Sequence, residues 1–477
     1  MILSALQCVN ADKIILITQS EVSRKKLGDT KMDRKKPASF KCVCRGPRMP
    51  APECRRIDIP CGGWHRCPMK KTFSLSLGAA AALFCAGARG ADWPNFRGPN
   101  HNGISSETGW LVKWPAEGPK TLWKASLGLG YASITVAQGR AYASGNAGDT
   151  ATLYCFDADT GSNLWKFSCA NQIVNDYSKP KGMGGTTAAP AVEGNRVYLM
   201  SGDGCLFALD ARSGAIVWSN NLVAELGLVK PHWGFAGSPL VQDNLLVLDA
   251  GGSGTAVEKT TGKVVWTSNK AASGYSTPVP CAFNGAPAVA ILTADDACAV
   301  EIKSGKQIWT FPFKSQINIA DVVVSGNDFF MSAGYSKGAV MAHFDGTKTA
   351  QVWASPGFAN HINSSILVDG CLYGVAGMVN GGADSAFLQC VDFATGAQKW
   401  SYRGLGGGGL IVADHKIIML GDTGELVVGE VSPVSFVPIS RAKVLSEWCW
   451  TAPTLANGRI YCRNNQGDMV CLDVKGP

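Results

Sequence analysis

Short apolar runs that alternate with polar positions recur along the chain from residue 121 to the last residues. Residues 193–198, 369–373 and 457–461 show the pattern, each as a Gly-containing turn that leads into an alternating strand. Alternation with a period of two predicts half-buried β-strands, and the turns predict tight hairpins. No helix is indicated between the runs, so the pattern predicts an all-β chain of short antiparallel strands.

Tryptophan marks a longer repeat in the same region. Seven tryptophans are separated by 42 to 53 residues: Trp123, Trp165, Trp218, Trp266, Trp309, Trp353 and Trp400. Six of them follow an acidic residue by eight positions, with a turn between, as in residues 157–161 and 392–396. The constant offset indicates one hairpin that is built six times, in which the acid accepts turn amides and Gly provides a positive φ.

Each unit contains four short strands, and the third strands give a count of eight units. Such units predict an eight-bladed β-propeller of four-stranded blades within residues 121–477. The last unit lacks an outer Trp strand, whereas a Trp strand precedes the first full unit. We therefore expect residues 122–124 to pair with residues 469–472 and close the ring, which would bury both free edges. In the seventh unit, Val444 and Leu445 stand where the pattern expects Trp.

The repeat and its Asp-x-x-Thr-Gly…Trp cadence resemble the eight-bladed propellers built of pyrroloquinoline-quinone (PQQ)-type repeats. The resemblance extends from Asp92 onward, and residues 92–104 resemble the N-terminal motif of secreted propellers of unassigned function. The family includes quinoprotein alcohol dehydrogenases and the propeller subunit of the outer-membrane β-barrel assembly machinery. The resemblance implies that each repeat Trp stacks between neighbouring blades, so we expect the seven tryptophans to be structural.

The first 91 residues have a different composition. Residues 69–91 begin with Met-Lys-Lys, continue with an apolar stretch and end with small residues, as in a secretory signal peptide. We expect the mature chain to begin near Ala91 or Asp92, to be periplasmic or extracellular, and to lead into the propeller through residues 92–120. Residues 1–68 are then upstream sequence that is disordered or not made. The alternative is a genuine Cys-rich basic segment, although its cysteines lack paired zinc-ligand spacing.

The formal charge of the whole chain, +8, comes from this leading region. Residues 92–477 carry 27 Lys and Arg against 30 Asp and Glu, so the propeller has no positive excess for nucleic-acid phosphates. The sequence also contains no run of 18 apolar residues, which argues against a membrane-spanning helix.

The family resemblance raises the question of a quinone cofactor. A PQQ-dependent dehydrogenase of an alcohol or sugar needs a catalytic Asp and a calcium ion held by Glu, Asn and Asp oxygens. Family dehydrogenases commonly carry a disulfide between adjacent cysteines, and this sequence has neither a Cys-Cys pair nor a long insertion to cover a quinone. Asp321 is the best candidate base, but an acid at the start of a strand is more often a turn residue. We therefore expect no cofactor, no metal and no catalytic residue.

The segments that lead into the innermost strands should meet at the mouth of the propeller channel. Six aromatic, imidazole or amide side chains there are the candidate binding residues: Tyr131, Trp233, Tyr275, His361, Asn363 and Trp450. This mixture suits a protein, peptide or carbohydrate partner, although the same residues could simply pack the loops. Two hypotheses follow: an exported, non-catalytic scaffold that binds a partner on one face and, as the alternative, a PQQ-dependent dehydrogenase.

Ten cysteines lie in residues 92–477, where export would permit disulfides. If Gln466 and Gly467 form a two-residue turn, Cys462 lies opposite Cys471 at a distance that a bridge could span. The alternative is a pair of buried free thiols.

Overall fold

The chain forms an all-β protein, as predicted, with 33 strands and one short helix in the part that the structure describes. The structure is a computed structural model. It describes residues 91–172, 185–283, 285–379, 383–446 and 448–476. The predictions for residues 1–68 and for a signal peptide at 69–91 lie outside these ranges, apart from Ala91.

Eight sheets form the blades of the propeller. Two strands precede the first blade: β1 (Ile104–Ser105) and β2 (Thr121–Ser126). From the channel outwards, the first four blades contain, in blade 1, β3 (Thr135–Ala137), β4 (Arg140–Ala147), β5 (Thr150–Asp157) and β6 (Asn163–Ala170); in blade 2, β7 (Ala191–Glu193), β8 (Arg196–Met200), β9 (Cys205–Asp210) and β10 (Ile216–Asn221); in blade 3, β11 (Leu240–Gln242), β12 (Leu245–Leu248), β13 (Thr255–Glu258) and β14 (Val264–Thr267); and in blade 4, β15 (Val279–Phe283), β16 (Ala286–Leu292), β17 (Asp296–Glu301) and β18 (Gln307–Pro312).

The remaining blades repeat this order of antiparallel strands. They contain, in blade 5, β19 (Val323–Ser325), β20 (Asp328–Ala333), β21 (Gly338–Phe344) and β22 (Thr349–Ser355); in blade 6, β23 (Ile366–Val368), β24 (Cys371–Gly377), β25 (Ala386–Asp392) and β26 (Gln398–Tyr402); in blade 7, β27 (Gly409–Ala413), β28 (Lys416–Leu420), β29 (Glu425–Glu430) and β30 (Pro438–Lys443); and in blade 8, β31 (Thr454–Ala456), β32 (Arg459–Arg463), β33 (Asp468–Asp473) and β2. The predicted eight-bladed propeller is therefore confirmed.

Helix α1 (Leu222–Leu226) follows blade 2. Asn221 begins it, because its Oδ1 accepts the backbone N–H of Ala224 at 2.9 Å, and Gly227 ends it with a φ of 65°. Across the described ranges, no helix has the length and apolar composition that crossing a membrane requires.

The predicted ring closure is also confirmed. β2 pairs with β33, with Thr121 opposite Leu472 and Ala125 opposite Met469. The N-terminal Trp strand thus completes blade 8, and its pairing ties the two ends of the propeller together. The sequence did not predict that β1 adds a parallel strand to the inner edge of blade 7 by pairing with β27.

The acid before each repeat tryptophan accepts hydrogen bonds in the turn between the third and fourth strands. Asp392 Oδ1 accepts the Thr395 hydroxyl at 2.8 Å and its backbone N–H at 3.0 Å, and Gly396 follows with a φ of 73°. The hydrogen bond from the Thr395 hydroxyl contributes most to the lowered pKa of Asp392. Equivalent bonds, chiefly from the backbone of Lys348, lower the pKa of Asp345 to about 2. Each turn therefore forms from local contacts, as the spacing predicts.

The hydrophobic core is divided into layers between successive blades. Leu153 and Trp165 of blade 1, for example, pack with Val197 and Leu209 of blade 2. The largest cluster joins blades 7, 8 and 1, where the ring closes. Each blade therefore buries its apolar faces against its neighbours and depends on them for stability.

The repeat tryptophans lie in these layers. Six of them donate the indole N–H to a carbonyl oxygen of the following blade at 2.8–3.1 Å: Trp123, Trp165, Trp218, Trp266, Trp353 and Trp400. In five of the six, all except Trp400, the ring also covers the turn glycine of that blade, and a Cβ on Gly262 would lie 2.5 Å from the Trp218 ring. Trp309 differs, because its ring stacks on Phe329 with the centroids 3.9 Å apart.

Blade 7 departs from the repeat at a different residue than predicted. Ser440, and not Val444 or Leu445, occupies the tryptophan position of its outer strand, opposite Val428 at the register shift. Ser440 follows the end of β29 by ten residues, where Trp400 follows the end of β25 by eight, because the loop between β29 and β30 is two residues longer than the loop between β25 and β26. The Ser440 hydroxyl accepts the backbone N–H of Trp114 at 3.3 Å, so the lead-in segment contacts the strand where the tryptophan is missing.

The hairpin register that would allow a disulfide between Cys462 and Cys471 is wrong. Cys462 lies opposite Val470, one position away from Cys471, and both sulfurs are free. The hairpin loop holds three residues rather than two, because the backbone N–H of Asn464 donates to the carbonyl oxygen of Asp468 at 3.0 Å. A shift of one residue turns the two cysteines to opposite faces of the blade.

Candidate functional site

A chain of hydrogen bonds joins the blades at the mouth of the channel, through the residue two positions before the inner strand. The backbone N–H of Ala189 donates to Ser238 Oγ at 2.9 Å, and that of Ser238 donates to Thr277 Oγ1 at 3.0 Å. The N–H of Thr277 donates to Asp321 Oδ1 at 2.8 Å, and that of Asp321 donates to Ser364 Oγ at 2.8 Å. These bonds run from blade 2 to blade 6 and fix the segments that carry Trp233, Tyr275, His361 and Asn363.

These segments surround a cavity of about 240 Å³. All six candidate binding residues line it, and so does the candidate base Asp321. Further lining side chains are aromatic or aliphatic: Phe96, Tyr335, Ile317, Ile319, Ile362 and Val379. The fold thus brings together the residues that the sequence analysis selected, while their role in binding stays a prediction.

Tyr131 and Trp450 form one wall of the cavity. Their rings stack with the centroids 5.1 Å apart and the planes 9° from parallel, and Trp448 stacks on Trp450 at 5.5 Å. The indole N–H of Trp450 donates to Asp422 Oδ1 at 2.8 Å, and the Thr451 hydroxyl donates to the carbonyl oxygen of Tyr131 at 2.8 Å. The wall is therefore a fixed aromatic surface that suits a flat apolar group.

Trp233 and Tyr275 form a second wall. The backbone N–H of Trp233 donates to the Tyr275 hydroxyl oxygen at 3.3 Å, and the backbone N–H of Tyr275 donates to the carbonyl oxygen of Asn318 at 3.0 Å. Burial raises the pKa of Tyr275, so the hydroxyl stays protonated at neutral pH. Both rings are half-buried and keep surface for a ligand. His232, next to Trp233 in the sequence, is exposed and lies outside the lining.

His361 and Asn363 precede the inner strand of blade 6. His361 Nδ1 accepts the backbone N–H of Val379 at 3.2 Å, and burial lowers the pKa of His361 to about 4. The imidazole is therefore neutral at pH 7. Asn363 Nδ2 donates to the carbonyl oxygens of Gly408 and Trp450 at 2.9 Å each, so this amide nitrogen holds the loops of blades 7 and 8 together.

Asp321 is not a free carboxyl group in the cavity. Its Oδ1 accepts the backbone N–H of Thr277, and its Oδ2 lies 3.4 Å from Arg97 Nη1. The two charged side chains are only 3% and 10% exposed, and Arg97 also donates to the carbonyl oxygen of Ser365 at 2.7 Å. Burial raises the pKa of Asp321, while the charge of Arg97 and the amide of Thr277 act in the opposite direction. The carboxyl group therefore belongs to the framework of the ring.

The segment that carries Arg97 runs along the inner strands of several blades. Trp93 exchanges two backbone hydrogen bonds with the inner strand of blade 1 at 2.8 and 2.9 Å, and Val192 in blade 2 donates to the carbonyl oxygen of Pro94 at 2.9 Å. Farther along, β1 pairs with blade 7. Gly98 makes the turn possible, because its φ is 80° and a Cβ there would lie 2.8 Å from the Trp93 ring.

Phe96 and Arg97 were missed as site residues, although Phe96 lines the floor of the cavity and Arg97 next to it pairs with Asp321. The sequence analysis treated residues 92–120 as a lead-in because they precede the first blade. The contact between Arg97 and Asp321 joins positions 224 residues apart, which no local pattern reveals. The available signal was the motif itself, since two aromatic residues, an arginine and two glycines within residues 92–104 belong to no strand of the repeat.

The chemistry of the cavity is mainly apolar. Among the described residues that line it, only Asp321 has a side chain that is ionised at neutral pH when it is free in water. That carboxylate is paired with Arg97. The described ranges also contain no group of three or more His, Cys, Asp or Glu residues placed to hold a metal ion. The arrangement can bind an apolar or aromatic group and offers few polar groups for other contacts.

Three of the relatives found by comparison with known proteins match this chain over different lengths. The outer membrane protein assembly factor BamB of Yersinia pestis is 23% identical over 360 residues, which are 73% of this chain and 77% of that protein. The tetrathionate hydrolase of Acidithiobacillus ferrooxidans is 25% identical over 191 residues, which are 38% of this chain and 37% of the hydrolase. The dehydrogenase subunit of a quinone alcohol dehydrogenase of Komagataeibacter europaeus is 35% identical over 121 residues, which are 23% of this chain and 16% of that subunit. The chain thus spans well under half the length of the latter two proteins.

Solved structures show the same fold. BamB of Moraxella catarrhalis superposes with a TM-score of 0.53 at 16% identity, over 75% of this chain and 98% of that one. The quinohemoprotein alcohol dehydrogenase of Comamonas testosteroni gives a TM-score of 0.56 at 15% identity, over 81% of both chains. The family model described as outer membrane protein assembly factor BamB matches residues 107–228 and 178–402, more than half of the chain. The chain therefore belongs to the family of the outer membrane protein assembly factor BamB, built of PQQ-type repeats.

Proposed function

We propose that the protein is an exported, non-catalytic scaffold that binds a partner protein by taking one of its apolar or aromatic side chains into the channel cavity. The observation that carries this proposal is the convergence of Tyr131, Trp233, Tyr275 and Trp450 above a floor that contains Phe96. Aromatic side chains in a concave, desolvated site commonly provide most of the binding energy of a protein interface. The membership of the BamB family, named for an assembly factor, supports a protein as the partner.

The size and polarity of the cavity favour a peptide side chain over a sugar. Its volume of about 240 Å³ is below the roughly 300–1,000 Å³ of sites for drug-sized ligands. A sugar needs several free hydrogen-bonding groups, but the hydroxyls of Ser238, Thr277 and Ser364 accept backbone N–H groups of the neighbouring blades. With His361 neutral and Asp321 paired, the lining offers no unpaired charge for a charged side chain.

The cavity does not fit a quinone held with calcium. Calcium takes about six to eight oxygen ligands, among which carboxylates are prominent. The cavity contributes Asp321, and both of its carboxylate oxygens are engaged by Thr277 and Arg97. Arg97 is committed to the same pair and to the carbonyl oxygen of Ser365, so it is not available to neutralise an anionic quinone. These contacts support a protein that uses neither PQQ nor calcium.

Export is the second part of the proposal. Residues 69–91 have the basic start, apolar stretch and small terminal residues of a signal peptide. The family is named for a factor of the outer membrane, which is compatible with a periplasmic or extracellular protein.

Saturation-transfer NMR with blocked tripeptides tests the binding site. N-acetyl-Gly-X-Gly-amide with Trp or Leu as the central residue should bind, and the same peptide with Lys or Glu should not. Trp233→Ala should weaken binding about 30-fold, the equivalent of about 2 kcal/mol for an anchoring contact. Val352→Ala is the control, because Val352 lies on the outer strand of blade 5 and is 54% exposed.

Three results would count against the proposal. Binding of none of the peptides, or equal binding to the Trp233→Ala protein, would exclude the cavity as a peptide site. Binding of glucose or N-acetylglucosamine in place of the peptides would point to a carbohydrate partner.

The alternative function is a PQQ-dependent dehydrogenase of an alcohol or sugar. One observation favours it, the 35% identity to the dehydrogenase subunit of a quinone alcohol dehydrogenase over 121 residues. This stretch is 16% of that subunit, and likeness over part of a fold does not establish its chemistry. Steady dye reduction by the purified protein with added quinone and calcium would establish the alternative.

A further inference from the structure

The backbone nitrogen of Ala91 contacts a buried carboxylate. It donates to Glu107 Oε1 at 3.1 Å, and Glu107 is 3% exposed. The same carboxylate accepts two more backbone N–H groups, from Asn457 and, at 2.9 Å, from Gly458, in the turn that follows the inner strand of blade 8. Three backbone nitrogens from distant parts of the chain therefore converge on one side chain.

This carboxylate lacks a positive partner in the described part of the chain. No Lys, Arg or His side chain among those residues forms an ion pair with Glu107, and the groups that donate to it are backbone amides. Burying an ionised carboxylate without an opposite charge is costly, so such groups are normally paired. The backbone nitrogen of Ala91 could supply the missing positive charge. It is a neutral amide while Gly90 precedes it, and it becomes an ammonium group if the chain begins at Ala91.

We propose that the chain is cut between Gly90 and Ala91 during export and that the new α-ammonium group of Ala91 forms an ion pair with Glu107. The step is a hydrolysis by a signal peptidase: water breaks the Gly90–Ala91 bond, Gly90 becomes a carboxylate, and the amine of Ala91 takes up a proton. Small residues at 88 and 90 stand at the −3 and −1 positions of that bond, as such peptidases require. Cleavage one residue later would remove the nitrogen that contacts Glu107, so the geometry selects Ala91 over Asp92.

The ion pair would fasten the N-terminal segment to both ends of the ring. Asp92 Oδ1 accepts Asn457 Nδ2 at 3.0 Å in blade 8, and Asp92 Oδ2 accepts the backbone N–H of Gln138 at 3.0 Å in blade 1. Trp93, Phe96 and Arg97 follow directly, so the anchored end sets where the floor of the cavity lies. The cut that releases the protein from its leader would thus add a charged contact beside the blades that β2 and β33 close.

Export of the full-length chain, followed by mass spectrometry and thermal unfolding of the released protein, tests this. The intact mass should correspond to a chain that begins at Ala91. Two variants of the full-length precursor probe the pair: Glu107→Gln, and an insertion of one Ala before Ala91 that moves the amine one residue away. Each should lower Tm by about 3 °C, from the loss of a buried pair in a domain of this size. The insertion should lower it no further in the Glu107→Gln background.

Acylation of the α-amine by succinimidyl acetate at pH 7 gives a second readout that does not depend on the stability of the Gln variant. In the released wild-type protein the α-amine should react at least tenfold more slowly than in the insertion variant. A mature chain that begins at another residue would overturn the proposal. So would an equal Tm loss from the insertion in both backgrounds, or equal α-amine reactivity in the two proteins.

Discussion

Replacing Arg97 with Met tests whether the ion pair with Asp321 holds the floor of the cavity. Met keeps much of the side-chain volume but removes the charge, and Asp321, which is 3% exposed, then remains buried without a cation. Removing one partner of a buried pair costs about 3–5 kcal/mol, and the charged hydrogen bond to the carbonyl oxygen of Ser365 is lost as well. Because Asp321 keeps the amide of Thr277, we expect a loss of about 4 kcal/mol in the free energy of unfolding at pH 8.

The loss should depend on pH in a defined direction. Burial already raises the pKa of Asp321 above its ordinary value, and removing Arg97 should raise it further. A carboxyl group with a raised pKa binds its proton more tightly in the folded state than in the unfolded state. Stability therefore falls as the pH rises from about 4 through the folded-state pKa, so the deficit should be largest at pH 8 and smaller at pH 5.

Urea unfolding, followed by tryptophan fluorescence, measures these differences at both pH values. Asp321→Asn in the Arg97→Met background removes the stranded carboxylate and should recover about 2 kcal/mol at pH 8, leaving the cost of the lost carbonyl contact. Equal deficits at pH 5 and pH 8, or no recovery in the double variant, would refute the ion pair as the support of the floor.

Three further predictions concern packing, catalysis and acid stability. Gly262→Ala should lower the free energy of unfolding in urea by about 3 kcal/mol. Gly370→Ala is the control, with the same φ of 74° and open space around its Cβ position, and should cost about 1 kcal/mol. Equal losses would contradict the contact between Gly262 and Trp218. With added quinone and calcium, both the unchanged protein and the Asp321→Asn variant should reduce dye only at the background rate. Steady dye reduction by the unchanged protein, lost in the variant, would reverse the choice of function. Burial lowers the pKa of His361 and of His101 to about 4, so the unfolded state takes up protons that the folded state does not as the pH drops from 6.5 to 4. The free energy of unfolding, measured by urea titration, should therefore decrease over this range. In His361→Asn that decrease should be smaller.

The blades could be predicted from the sequence because each is held by contacts within one repeat or between successive repeats. Asp392 binds a turn three residues away, and Trp353 reaches the turn of the next blade, so the spacing of these two residue types carries the fold. Ring closure could be predicted in the same way, because the Trp strand that precedes blade 1 had no partner and blade 8 lacked its outer strand. The register of the last hairpin could not be read this way, because one extra loop residue separates Cys462 from Cys471.

The walls of the cavity could be predicted but its floor could not. Tyr131, Tyr275 and Trp450 each lie four residues before the inner strand of their blade, so the propeller geometry brings them to one mouth. Phe96 and Arg97 lie before the first repeat, and their position depends on contacts with residues in blades 1, 2, 5, 6 and 7. Contacts at such sequence distances follow from the assembled ring and leave no periodic signal.

The position of Asp321 in the ring bears directly on the choice between a scaffold and an enzyme. In blades 3, 4 and 6 the equivalent position holds a hydroxyl that accepts a backbone N–H from the preceding blade, and Asp321 accepts one in the same way. Its second oxygen faces Arg97, so the acid needs its charge for a structural contact. A general base must be free to take a proton from a substrate at hydrogen-bond distance. Proton uptake at Asp321 would weaken its pairing with Arg97, and with it the floor against which a substrate would rest. The position before the inner strand of blade 5 made Asp321 a candidate catalytic base in the sequence. In the structure the same position ties Asp321 to the framework of the ring through Thr277 and Arg97.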